Sequence, residues 1–257
     1  MASDWWGRFA MFVVLASVVA SVVSNAVFGK GIGDVSCKYT QRFSPSNEAF
    51  GIWLPIYLLA LSPMILALQS NAPPLSNLSY AFAWLSAALW TPTFTTQTRH
   101  GLVWAAVCLG LTATFALVAV FSSKLWNGVK EVPLQAATAS AYALLAGWTI
   151  VALALNVGIA YQANNELSDA CKTDAHGTYT ILGEIDPSYK TSVPLILACV
   201  VSMAAVLLPD PVLAVPLMWA IFWMHPSYMN YSAVVILAAA VVAAGVKVAL
   251  GGNANGA

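Results

Sequence analysis

Residues 134–161 read LQAATASAYALLAGWTIVALALNVGIAY. No residue in the run is charged, and it exceeds the roughly 20 apolar positions an α-helix needs to cross about 30 Å of hydrocarbon. It reads as a membrane-crossing helix. Along it Tyr142, Thr149 and Asn156 recur at seven-residue steps with Trp148 on their flank, so one face carries a phenol, a hydroxyl and an amide beside an indole.

The rest of the chain has the same character. Of 257 residues, 60% are apolar or aromatic, and only 10 Lys and Arg and 10 Asp and Glu carry charge. A soluble domain of this length carries about 64 charges. The deficit excludes an ordinary soluble enzyme, a disordered segment and a nucleic-acid binder working through basic charge. An integral, multi-pass membrane protein remains. Charge is absent from residues 9–29, 49–98, 100–123, 132–165, 191–209 and 211–246. Turn-rich stretches, NAPPLSN at 71–77 and HPSYMN at 225–230, divide the two longest intervals. Eight hydrophobic segments result: 9–28, 49–68, 78–95, 102–121, 134–161, 193–208, 212–224 and 232–250. The seventh is short and contains Pro216, so seven crossings plus one tilted or re-entrant segment is the alternative. The first is read as a retained helix, because no small-residue cleavage site stands apart from it.

Two loops, 29–48 and 162–192, fall on one side of the membrane if crossings alternate, and together they form a cap. The first holds Gly29, Gly31, Gly33 and Cys37, and the second holds five acids, two lysines and Cys171. Cys37 and Cys171 are expected to pair where that face is oxidising, the alternative being two unrelated thiols. Cys108 and Cys199 lie inside hydrophobic segments and behave as small apolar groups. The side carrying the termini has Arg8, Lys124, Lys130 and Lys247, against Lys30, Lys38, Arg42, Arg99, Lys172 and Lys190 on the other. That bias does not assign an orientation.

Chemistry-bearing groups are scarce within the segments. No Asp or Glu is embedded mid-span, which leaves a proton relay or ion-coupled transporter nothing to use. Lys247 has no acid near it in sequence and sits within about one turn of a segment end, as a snorkelling lysine does rather than a Schiff-base lysine. Gly-x-Ser-x-Gly, Cys-x-x-Cys and His-Glu-x-x-His are all missing, and His100, His176 and His225 fall in separate loops or segment ends. The chain is therefore expected to be non-enzymatic, with no metal site. What the segments do hold is rings at helical spacing: Phe50, Trp53 and Tyr57 share one face of the second segment, and Tyr142, Trp148 and Asn156 mark the fifth. Such faces suit a flat, mostly apolar ligand, and they equally suit helix-to-helix packing.

Three motifs carry a resemblance. FSPSNEAFGIWLPIY at 43–57, LSAALWTPTF at 85–94 and YALLAGWTIVALALN at 142–156 resemble, in order and separation, signatures of the tryptophan-rich sensory protein family, the TspO or translocator-protein relatives. The stretch VVSNAVFGKGIGDVSCKYTQRFSP at 22–45 is similar to the longer members of that family. The resemblance implies a five-helix unit over residues 1–161, an extramembrane loop over 162–192 and additional C-terminal transmembrane helices over 193–257. It also implies a ligand cavity opening toward the loop after the first helix, since relatives bind porphyrins and other tetrapyrroles, sterols or synthetic aromatic compounds and take part in stress responses. By motif, the ligand-binding residues are Phe50, Trp53, Tyr57, Trp90, Tyr142, Trp148 and Asn156.

Two positions depart from the family pattern. Ala87 stands where Asn is usual and Glu48 where an aromatic is usual, and both changes count against porphyrin recognition. Val35, Tyr39 and Arg42 satisfy a loose sterol pattern, but in a loop, and carry no weight. The leading expectation is a sensor or carrier of a flat hydrophobic ligand, tetrapyrrole or sterol-like, held in an aromatic-lined site. The alternative is a structural or accessory subunit of a larger membrane assembly. Partners under these readings are the lipid bilayer, a small hydrophobic ligand, and a second copy or other membrane subunits.

Overall fold

The computed structural model describes residues 2–39, 47–69, 74–126, 133–165, 171–173, 179–181 and 211–223. Helix α1 (Ala2–Lys38) is followed by a 3-10 turn (Asn47–Ile52), α2 (Trp53–Leu59), α3 (Leu61–Gln69), α4 (Pro74–Phe94), α5 (Arg99–Trp126) and α6 (Pro133–Asn164). Strands β1 (Cys171–Thr173) and β2 (Tyr179–Ile181) form a small antiparallel pair, and a 3-10 turn (Pro211–Ala214) leads into α7 (Val215–Phe222). Apart from that strand pair and short turns such as 95–98, the described residues are helical. The expected segments 193–208 and 232–250 lie outside the described residues.

Four helical stretches are long and apolar enough to cross a membrane: Met11–Gly29, Glu48–Leu66, Arg99–Ser123 and Leu134–Asn164. Their outer faces carry large exposed apolar side chains such as Phe12, Val27, Leu54, Leu58 and Trp104. In water such surfaces would be costly, whereas in a bilayer they face lipid tails. The eight residues of α7 rise only about 12 Å, too little for a helical crossing, so the seventh hydrophobic segment does not span as a helix in its described part.

The register of the helices is visible in side-chain contacts. Thr91 of α4 bonds Asn25 of α1, and Thr95 lies against Gly31, so α1 and α4 run parallel. Asn77 meets Tyr142 and Trp90 meets Asn156, so α4 and α6 also run parallel. Ser76 meets Ser122, which sets α5 antiparallel to α4. Helix α6 packs on α5, α3 and α2, and α4 packs on α1 and α5. The second and fifth hydrophobic segments, which supply α2–α3 and α6, thus face each other.

Helix α4 already begins at Pro74, inside the stretch 71–77 read as a turn, since Pro is suited to the first turn of a helix, and α5 spans Arg99–Trp126 rather than 102–121. Two further boundaries differ for reasons of packing and hydrogen bonding. Helix α1 continues through the glycine-rich stretch to Lys38, where a loop starting at Gly29 was expected. Each glycine costs a helix about 1 kcal/mol relative to alanine. Burial offsets that cost, because Val35 is 0% exposed in an apolar cluster with Trp90 and Phe94, and Gly31 lets Thr95 approach to where a Cβ would meet it at 3.1 Å. The second segment is broken at Ala60. Pro63 has no N–H to offer the Leu59 carbonyl one turn earlier, and the Ser62 hydroxyl takes its place at 2.7 Å.

The glycines of α1 give a paired expectation. Gly29 has nothing near the position of an added Cβ, so Gly29→Ala should stabilise by about 0.5–1 kcal/mol. Gly31→Leu should destabilise by about 1–3 kcal/mol through overpacking against Thr95. Thermal unfolding in mild detergent checks both signs.

Candidate functional site

A continuous aromatic cluster occupies the interior between α2, α4 and α6. Phe50 meets Trp148 edge-on at 6.1 Å between ring centroids, and Trp148 meets Trp53 in the same way at 6.4 Å. Trp53 stacks on Tyr57 at 5.5 Å, and Tyr57 stacks on Trp84 at 5.4 Å. Trp84 then meets Tyr80 at 6.1 Å, and Tyr80 meets Tyr142 at 4.7 Å. These separations fall in the range where edge-to-face and offset ring pairs gain about 0.5–1.5 kcal/mol beyond their burial.

Five of the seven sequence-predicted residues, Phe50, Trp53, Tyr57, Tyr142 and Trp148, therefore come together. Trp90 and Asn156 do not join them. They form a second layer, where the Trp90 indole N–H donates to the Asn156 Oδ1 at 3.0 Å beside Phe94, while the Asn156 amide donates to the Ala152 carbonyl at 2.9 Å. Along α6, Tyr142 and Asn156 are about 21 Å apart, because each residue adds only 1.5 Å of rise. The seven-residue spacing correctly puts them on one face but at different depths.

Polar groups line the same interior. The Tyr57 hydroxyl accepts from the Asn25 amide at 2.8 Å and shares a bond with Ser21 at 3.2 Å, and the Thr91 hydroxyl donates to Asn25 Oδ1 at 2.9 Å. The side-chain amide beside these rings thus comes from Asn25 of α1, while position 87 on α4 is a buried alanine. Tyr142 donates to Asn77 Oδ1 at 3.1 Å. Four buried groups of this cluster have a donor without a partner among the described residues: the indole N–H of Trp148, whose side chain is 2% exposed, the indole N–H of Trp84, the Tyr80 hydroxyl and the Asn77 amide. An unmet buried donor costs about 1–3 kcal/mol. No group of three or more His, Cys, Asp or Glu side chains gathers among the described residues. The cluster offers rings, hydroxyls and amides.

The sequence reading missed Asn77, Tyr80, Trp84 and Thr91 of α4. Their signal was present, since Asn77, Tyr80, Trp84, Ala87 and Thr91 follow each other at three- and four-residue spacing and all are buried. It also missed the contribution of the C-terminal segment. The Trp219 indole donates to the Ala49 carbonyl at 2.7 Å, and Leu213 and Ala220, both 0% exposed, join the cluster that contains Trp53 and Trp148. This contact closes the outer side of α6, where residues 141–152 are buried without a break. Gly147 makes the seat, because a Cβ there would collide with the Leu213 carbonyl and meet the Pro216 ring at 3.1 Å.

Of the expected cysteine pair, Cys37 is disulfide-bonded, while the Cys171 side chain lies outside the described residues. Cys108 is a free thiol.

Gly147→Ala separates helix propensity from packing. Alanine favours the helix by about 1 kcal/mol, yet the clash with Leu213 should leave the variant less stable by about 1–3 kcal/mol. Amide exchange in residues 211–223 should rise while that of α5 stays unchanged.

No curated relative and no solved structure matches the chain. The model of the TSPO-like protein family matches residues 6–251. The chain, an integral and multi-pass membrane protein, belongs to that family.

Proposed function

We propose that the protein binds a flat hydrophobic ligand, tetrapyrrole or sterol-like, at the Phe50, Trp53, Tyr57, Tyr142 and Trp148 cluster, and acts as a non-enzymatic sensor or carrier. Trp90 and Asn156 form a second layer of the same site, toward the ends of α1, α4 and α6. On this reading residues 1–161 are the ligand-binding unit and residues 193–257 supply additional membrane helices. A buried aromatic cluster in a TSPO-like membrane protein is compatible with hydrophobic ligand binding.

One observation carries the proposal: the indole N–H of Trp148 is buried between the Phe50 and Trp53 rings without a hydrogen-bond partner among the described residues. A site built from rings, whose unpartnered polar atoms are donors, favours a planar apolar ligand that brings an acceptor, such as a carbonyl or carboxylate oxygen. Binding would then recover the hydrogen bond that the unliganded protein forgoes.

The test is titration of the solubilised protein with protoporphyrin while tryptophan fluorescence is followed. Saturable quenching is expected. Trp148→Phe keeps a ring but removes the donor, and should weaken binding about 3- to 10-fold, the equivalent of one neutral hydrogen bond. Unchanged affinity in that variant would remove Trp148 from the site. Quenching that never saturates, with either protoporphyrin or a sterol competitor, would shift the reading to an accessory subunit of a larger assembly.

A further inference from the structure

Cys37 sits in the last turn of α1 and is disulfide-bonded, and Cys108 is free. Only Cys171 and Cys199 remain as partners. Two independent features of the backbone separate them. The first is direct contact: β1, which begins at Cys171, packs against α1. The second is direction. Helices α1, α4 and α6 run parallel, so α1 ends on the same membrane face as α6, and Cys171 follows the end of α6 by a short connection. Cys199, by contrast, lies in a hydrophobic run, remote in sequence from β1.

We propose that a Cys37–Cys171 disulfide clasps the end of α1 to the loop after α6, and that the face bearing the ends of α1, α4 and α6 therefore lies in an oxidising compartment, with the start of α1 on the reducing side. Disulfides persist on extracytoplasmic and luminal faces and are reduced on the cytosolic one. The bond forms when the two thiols lose two protons and two electrons. The electrons pass by thiol–disulfide exchange to the disulfide of an oxidoreductase or an oxidised small thiol, which is thereby reduced to its dithiol form. Lysine and arginine counts leave the orientation open, whereas a persistent disulfide assigns it.

The clasp also has a position relative to the interior. Val35 and Tyr39, on either side of Cys37, are buried in the same layer as Trp90, Ile159 and Ala163. Tying α1 to the chain leaving α6 holds that layer closed at its membrane face. Reduction should loosen it while leaving the Trp53–Trp148 layer, further along the bundle, in place.

The experiment uses the full chain in its membrane. Free thiols are blocked with N-ethylmaleimide before solubilisation, and the protein is digested and mapped by mass spectrometry without reduction. A joined peptide pair carrying Cys37 and Cys171, which separates on reduction, is the expected result. Cys37 joined to Cys199, or Cys37 already alkylated, would overturn the pairing. In sealed vesicles of known sidedness, the membrane-impermeant reductant tris(2-carboxyethyl)phosphine followed by an impermeant maleimide should label Cys37 from the face opposite an amino-terminal tag. Labelling from the tag's own face would overturn the orientation. Cys171→Ser should raise amide exchange severalfold in residues 32–39 and leave α5 unaffected. Should that variant not fold, the peptide map and the vesicle labelling decide by themselves.

Discussion

The interior of this bundle is held together by rings. Helices α4 and α6 each pack along α5 and meet one another through long side chains, Tyr142 reaching Asn77 and Trp90 reaching Asn156. Between those two bridges Tyr80, Trp84, Trp53 and Trp148 form an unbroken run of ring contacts from α4 through α2 to α6. In a bilayer, apolar helix faces have no hydrophobic reason to prefer one another over lipid, so association depends on close packing and on polar contacts. Here both come from the same aromatic residues. On the proposed reading, the interior that joins the helices is also the one that holds the ligand.

Polar groups in this setting fall into two kinds. Asn25, Tyr57, Thr91 and Asn156 have partners, and each bond links or stiffens helices in a medium where an unpaired group is costly. The Trp148 and Trp84 indoles and the Tyr80 hydroxyl do not, although all three side chains are buried. The difference cannot be one of depth, since Trp148 and Tyr57 both border the Trp53 ring. It is a difference between polar groups that have a partner inside the bundle and donors that have none among the described residues.

The C-terminal segment modifies this interior from outside. A helix in a ring of membrane helices ordinarily shows lipid one flank, but α6 is buried on every side from Ala141 to Ala152. Leu213, Pro216 and Trp219 provide the missing cover, and Gly147 allows it because any larger residue would strike the Leu213 carbonyl. A glycine that is a poor choice for a helix is thus the condition for docking the extension.

Charge spacing and aromatic periodicity in the sequence alone determined the membrane class, the helical character of the first five hydrophobic segments and the shared face of Phe50, Trp53 and Tyr57. These are local properties: a chain that cannot leave backbone groups unpaired in hydrocarbon must form helices there, and helical spacing sets which side chains share a side. Only the tertiary structure decided that α1 runs on through three glycines, because that outcome rests on the burial of Val35 and the closeness of Thr95, neither of which is encoded nearby. It alone separated Trp90 and Asn156 from the Trp53 layer, since a seven-residue repeat specifies a face and leaves depth to the register between helices. It alone brought Trp219 to Ala49, because contacts between residues far apart in the chain leave no periodic trace in either segment.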